Sequence, residues 1–549
     1  MDRALPHFSN KGEPDFGFWP EGSANLSLTE ARLALIGLLC DRLPQSPCRV
    51  ALIAREAVAA RDFLVAKGYH VEHLPPEQAI RLLENRRLPT LLWNTAIVLE
   101  CFQDFCPCGS FLNQLREWMV PGGLLIIAGE LCQDTALRPS VHIPAYKEIV
   151  VGLLEAGYRI KSDRSIGGEV YPTFDAAAAE NPLGGPSGIA NLSRWRLRQQ
   201  LHASGQLGYQ IIVATRDDLF MRPYRDGDEG HILSLFQVAF GHSRTLAHWQ
   251  WKFRDNPFGR HRIAEAVSAE GDLAAHFGSY PVPFYVHHAS RSDWTTFQAG
   301  DTMTHPSFRG SGRGPTALLS RIATYFYNRF CVDRVPFIYG FNTGKIRRFG
   351  ERFLQYEYIP EVRLHTLPAE QLNCPRSHFW GMRLLGFSVT PLIRIDDEFD
   401  RFFDRVCADY GMLVKRCADY LRWRYLECPD SVHRMYALRR FGRLLGWGTF
   451  SCRGNVLVWG DALFAKNAVN SLGFFLSRLV QRFFPNIERI EAWFSPRPAW
   501  WAAALSKTGF EIGDEPNHLA PAFRIFDTRF STALFEQNLY YAMGDSDLF

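Results

Sequence analysis

Trp251-Lys252-Phe253, Pro257 and His261-Arg262-Ile263 recur as Trp423-Arg424-Tyr425, Pro429 and His433-Arg434-Met435, each pair 172 positions apart. Two further pairs follow in the same order, Gly278-Ser279-Tyr280 with Gly448-Thr449-Phe450 and Leu319-Ser320-Arg321-Ile322 with Leu476-Ser477-Arg478-Leu479. The offset shrinks as the second copy loses loops. Such a repeat confines the back half of the chain to two versions of one strand-and-helix unit, over about 217–395 and 396–549.

Only the first copy carries DTMTHPSFRGSGRGPTALL, Asp301 to Leu319. An extended segment runs into a Pro, then Gly310, Gly312 and Gly314 follow Arg309, and an apolar helical pattern begins at Pro315. Glycine lets the backbone turn its N–H groups inward and a helix start adds partial positive charge, so this loop predicts an anion site. The second copy has Asp461-Ala462-Leu463-Phe464-Ala465-Lys466-Asn467-Ala468 there, without glycine, and is expected to be a structural partner. Neither GxGxxG nor GxxxxGK[ST] stands in the loop, which argues against dinucleotide and P-loop sites.

In a chain of 549 residues, 47% hydrophobic and 21% charged, several packed domains are expected. A net charge of +4 gives no basic field for nucleic acid. No apolar run approaches the roughly 18 residues of a membrane span, and the N-terminus lacks a signal-peptide core, so a cytoplasmic protein without a membrane span is expected. Cys101, Cys106 and Cys108 cluster without the spacing of a zinc set, and no metal is expected.

Ahead of the repeat, residues 1–28 read as a lead-in, and 29–216 alternate helices with apolar strands. Strands are expected at Arg49–Ala54, Tyr69–Leu74, Pro89–Trp93 with Ala96–Leu99, Leu124–Ala128 after a Val120-Pro121-Gly122-Gly123 turn, and Gly208–Ala214. That pattern means a parallel sheet with helices on both faces. Arg194, Arg196 and Arg198 stand on a basic helical stretch open to an acidic acceptor or to solvent.

Arg309, Gly310, Ser311, Gly312, Arg313 and Gly314 form RxxGxG, which resembles motif A of the GNAT acyl-CoA transferases, as does THPSF before it. MRPYRDGDE, from Met221, resembles the opening of such a domain. Residues 29–216 resemble a class I methyltransferase, but Ala54-Arg55-Glu56-Ala57 replaces its glycine loop, so S-adenosylmethionine is not the expected cofactor. The implied fold is α/β, a Rossmann-like sheet followed by two GNAT-type mixed lobes. The likeness implies acetyl-CoA or another acyl-CoA, its pyrophosphate on the loop amides and Arg309 and Arg313, and its pantetheine on the backbone of Met303 and Thr304 beside a splayed strand. The acceptor would be a small-molecule or polymer-linked amine, and the oligomeric state is open.

Asp301 and His305 are the base candidates. The family's tyrosine acid, expected after Asn342, is replaced by Phe349, which leaves Tyr356 or Tyr358. Asn342 and the basic helix of Lys345, Arg347, Arg348 and Arg352 would face the coenzyme. Glu72, expected at the end of the second strand, is a candidate ribose ligand, and Asp545, Asp547 and Phe549 near the end of the sequence approach the cleft in an Eis-like tandem arrangement. The runner-up functions are a non-catalytic assembly protein and a bifunctional methyl and acyl transferase.

Overall fold

The computed structural model describes residues 16–21, 26–55, 57–84, 92–133, 143–180, 196–287, 293–372, 376–430 and 433–549, without the side chains of 177–180, 345 and 376–379. Most of the 1–28 lead-in, Glu56, Arg194 and the Lys345 side chain lie outside the described residues. Two compact units emerge, the first from residues up to Arg222 with Glu265–Ala274 and Ser307–Arg329, the second from the remainder.

The first unit holds a six-stranded sheet in the order β2-β1-β3-β4-β6-β5. Its strands are β1 (Arg49–Ile53), β2 (His70–Leu74), β3 (Trp93–Leu99), β4 (Met119–Cys132), β5 (Tyr158–Ser165) and β6 (Leu207–Arg216). The β1–β2, β1–β3 and β3–β4 pairs are parallel, while β6 runs antiparallel to β4 and β5. This is a Rossmann-like sheet with its order switching between β1 and β3. Continuous apolar runs at β1, β3 and β4 bury both faces, against two separate cores. The expected turn at Val120–Gly123 lies instead inside β4. The β3–β4 register jumps from Trp93↔Met119 to Thr95↔Leu124, so Pro121 and the glycines form an irregularity that the ladder absorbs.

Two mixed sheets follow. Strands β7 (Leu219–Pro223), β8 (Arg262–Ser268), β9 (Leu273–Val286), β10 (Asp293–Thr304), β11 (Phe337–Asn342) and β12 (Glu357–Tyr358) build one with β21 (Ala520–Ile525) and β15 (Met412–Val414). Strands β13 (Arg363–Pro368), β14 (Phe387–Leu392), β16 (Arg434–Arg440), β17 (Arg443–Arg453), β18 (Val456–Phe464), β19 (Arg489–Ala492) and β20 (Glu511–Asp514) build the other. The fold class is thus α/β with mixed sheets. The segment before β8 and the segment before β16 share one succession: a short helix (Leu246–Trp249; Ala418–Leu421), a π-turn (Gln250–Arg254; Arg422–Leu426), then the strand.

Candidate functional site

Strand β10 is the centre of the candidate site. It is parallel to β11 for only two residues, Phe297↔Ile338 and Gln298↔Tyr339, and the ladder goes no further. On its other edge β10 stays antiparallel to β9 down to Thr304↔Ala275, with an irregularity between Gly300 and Met303. Asp301 lies in that bulge with φ at 55°, a left-handed conformation that is uncommon outside glycine. The two strands therefore part after Gln298, and the stretch Ala299–Thr304 leaves the β11 ladder.

Beneath the bulge is a buried ion network. Asp301 pairs with Arg244 and, at 3.1 Å, with Lys252 Nζ, while its backbone oxygen bonds His276 Nδ1 at 2.7 Å. Burial by itself would push its carboxyl up, but Lys252 and Arg244 pull it down to about 2. Burial lowers His276 to about 4, so the ring is neutral, and its Nε2 has no hydrogen-bond partner among the described residues. Lys252 also donates to Asp547 at 2.9 Å, and Asp547 in turn accepts from the Tyr280 hydroxyl at 2.8 Å. Asp547 lies against Gly300, whose Cβ would meet its carboxylate and Lys252, which explains a glycine inside a strand.

A matching network sits in the second copy, its two arginines 172 positions on from Arg244 and Lys252. Arg416, the counterpart of Arg244, binds Asp461 at 3.2 Å and Asp545 at 2.6 Å, and the Tyr425 hydroxyl donates to Asp461 at 2.7 Å. Arg424, the counterpart of Lys252, donates instead to the Gly544 carbonyl at 3.2 Å and the Ser546 carbonyl at 2.5 Å. Burial, with Asp461 nearby, raises Asp545 to about 6 despite Arg416. Trp251 and Trp423 join the two halves reciprocally. Each indole N–H donates to the other's carbonyl, at 2.7 and 2.9 Å, and the rings stack at 5.3 Å. Lys252 and Tyr280 stand in the repeat motifs but not as expected site residues, and Arg244, His276 and Arg416 were not singled out by sequence; the Arg244–Arg416 pair at the repeat's own offset was the available signal.

Residues 309–314 form a tight turn in the first unit. Gly312 (φ 94°) and Gly314 (φ 57°) take left-handed conformations, and a Cβ on Gly312 would overlap the Thr316 carbonyl oxygen. Gly312 is required by the turn itself, and glycine eases the left-handed backbone at Gly314. Gly310 is different, since a Cβ there meets nothing within 4 Å. The Gly312 N–H donates to Gly310 O at 2.9 Å and the Arg313 N–H to the Thr316 hydroxyl at 3.2 Å, so part of the amide set is used inside the loop. The Ser320 hydroxyl ties Gly314 O to the helix Leu318–Phe326.

His305 follows β10 directly, half-buried. Asn342 ends β11, and its amide donates to the Tyr358 hydroxyl at 2.9 Å. Tyr356 packs edge-on against Tyr358, 6.4 Å between ring centres. On the helix Gly344–Phe353, Arg347 is paired with Glu351 and Glu361, each at 3.3 Å.

In the first unit, residues of the chain itself meet outside the carboxyl end of β3. Glu100, at the switch point, accepts the Phe16 N–H (3.1 and 3.2 Å) and the Tyr209 hydroxyl (2.8 Å). Phe16 is buried there against Phe174 and Tyr209, so the chain's own segment takes the crevice. Glu72 lies mid-strand, not at the end of β2 as expected, and accepts the Trp93 indole N–H at 2.9 Å. Arg198 and His202 both bind Glu130. Among the described residues no group of three or more His, Cys, Asp or Glu is placed to hold a metal, and no helix is long and apolar enough to cross a membrane.

No protein-family model matches the sequence, and none of the curated proteins does. Among solved structures, the chain is similar to a conserved protein of unknown function from Enterococcus faecalis V583, described as a probable N-acyltransferase, at 13% identity and a TM-score of 0.43, over 58% of this chain and 74% of that one. A GCN5-related N-acetyltransferase from Anabaena variabilis aligns at 12% identity and 0.42, over 56% and 73%. The [4+2]-cyclase SpnF aligns at 14% identity and 0.30, over 37% and 87%.

Proposed function

We propose that the chain is an acyl-CoA-dependent N-acyltransferase, acetyl-CoA being the first donor to test, which acts by direct transfer on an amine borne by a small molecule or a polymer. The observation that supports it is the parting of β10 from β11 after two residues, beside a bulge. A strand that leaves its neighbour's ladder makes room beside its backbone, and an amide-bearing pantetheine arm suits that place. Met303 and Thr304 would hold that arm, Arg309, Gly310, Ser311, Gly312, Arg313 and Gly314 the pyrophosphate, and Asn342 the region beside them. The coenzyme supplies an activated thioester.

In this reading 217–395 and 396–549 are tandem GNAT-type copies, and 29–216 is a scaffold with its crevice filled by Phe16. Asp301, neutralised by two cations, acts as a positioning group that fixes Lys252. The side chain of Asp547 is 28% exposed and abuts β10 at Gly300, so we assign it the ammonium proton of the acceptor. His305, next after β10, is the second base candidate, and Tyr356 is the candidate acid.

Calorimetry with both cofactors tests this. Coenzyme A or acetyl-CoA is expected to raise Tm by binding the native state, and S-adenosylmethionine is not. Gly310→Glu should abolish the shift without lowering the Tm of the free protein, because its site is open; Val58→Glu on the first unit's surface should leave the shift intact. Asp547→Asn should lower kcat by about 10²–10⁴-fold with the acetyl-CoA KM little changed. Absence of any coenzyme A shift overturns the reading.

A further inference from the structure

We infer that one face of the second unit docks on an anionic lipid surface, through apolar side chains set among arginines. Leu384 is 83% exposed, Phe441 75% and Trp380 65%, beside Leu385 at 53%. They come from two segments that pack together, the helix Arg376–Leu384 and the turn joining β16 to β17. The Phe441 N–H donates to Gly386 O at 2.9 Å, and Arg440 Nε donates to Leu385 O at 3.2 Å. Phe441 has φ at 47°, and its ring occupies the space a Cβ on Gly386 would need. The fold thus holds a phenyl ring outward at a hairpin tip, against backbone preference, where a polar turn residue would be the ordinary choice.

The surrounding charge selects the partner. Arg383 lies over Trp380 at 5.7 Å and Arg440 over Phe441 at 5.7 Å, with exposed Arg443 two residues on. Arg478 adds to this positive region: burial and the like charges of Arg482 and Arg383 loosen its proton. The nearby Glu398 is engaged by Arg439 at 2.6 Å. Aromatic rings at headgroup depth with guanidinium groups on lipid phosphates are the arrangement an anionic bilayer satisfies.

Flotation of the full chain with phosphatidylglycerol-containing vesicles, against pure phosphatidylcholine, tests the inference. Binding is expected only to the former and is expected to fall in ~0.5 M salt. Phe441→Glu should weaken it by more than about tenfold, and Arg440→Gln and Arg443→Gln by about fivefold each. Thermal melts check folding, and Leu384→Glu gives the same readout should Phe441→Glu unfold. Overturning results are no binding to anionic vesicles, binding indifferent to these variants, or self-association without lipid that Phe441→Glu abolishes, which would make the face an interface between copies.

Discussion

Asp301 shows how one residue's surroundings decide its chemistry. Its place beside the bulge suits a base, but two cations make it a poor proton acceptor. Its folded value near 2 lies below the ordinary 3.9. Asp301 therefore contributes stability that is present above about pH 4 and is lost as pH falls towards 2, in all about 2–3 kcal/mol. Asp301→Asn should remove that acid-limb dependence between pH 4 and 2. At neutral pH it should cost about 3–5 kcal/mol, since Arg244 would then lose its carboxylate and Lys252 would keep only Asp547. Urea titrations of both proteins across that range measure it, and equal acid limbs would refute the assignment.

At the scale of elements, the Trp251–Trp423 pair ties two π-turns by paired indole-to-carbonyl bonds. Each Trp→Phe change keeps an aromatic ring but trims the indole and removes its donor, leaving a buried carbonyl short of a bond, which alone costs about 1–3 kcal/mol. The double variant should show a coupling of about 0.5–3 kcal/mol in a double-mutant cycle, because the stack is shared; strict additivity would mean that the rings act separately. This element was legible in sequence, since Trp251 and Trp423 anchor the repeat. Arg244 and Arg416 share that offset, but their flanks, Ser243 and Thr245 against Lys415 and Cys417, differ, so the pair did not stand out. Sequence treats the three glycines of the 309–314 loop alike, whereas backbone geometry demands Gly312 and leaves Gly310 open. Val120–Gly123 reads as a turn because Pro and Gly favour one locally, and the β3–β4 ladder overrides that preference. Lys252 and Asp547 are 295 positions apart, and no periodicity reports such a pairing.

At the scale of the second unit, one short segment closes both ion networks, and counting buried charges shows that its two carboxylates do opposite things. Arg244 and Lys252 are balanced by Asp301 and Asp547, so Asp547→Asn leaves one positive charge in excess. Arg416 holds both Asp461 and Asp545, while Arg424, the other buried cation there, is satisfied by the Gly544 and Ser546 carbonyls, so Asp545 is the second carboxylate on one guanidinium. Asp547→Asn should therefore destabilise by about 2–3 kcal/mol, less than the roughly 3–5 kcal/mol for breaking a fully buried pair, since its side chain is partly exposed. Asp545→Asn should cost under about 1 kcal/mol at pH 7 or stabilise. Its raised folded pKa gives a stability contribution present below about pH 4 and lost as pH rises through about 6. The wild type should thus lose stability from this group between pH 4 and 6, and Asp545→Asn should be flatter there. Denaturant midpoints for the two variants at pH 5 and pH 8 separate the cases: if both lose the same stability at both pH values, the charge count is wrong and the segment acts through packing alone.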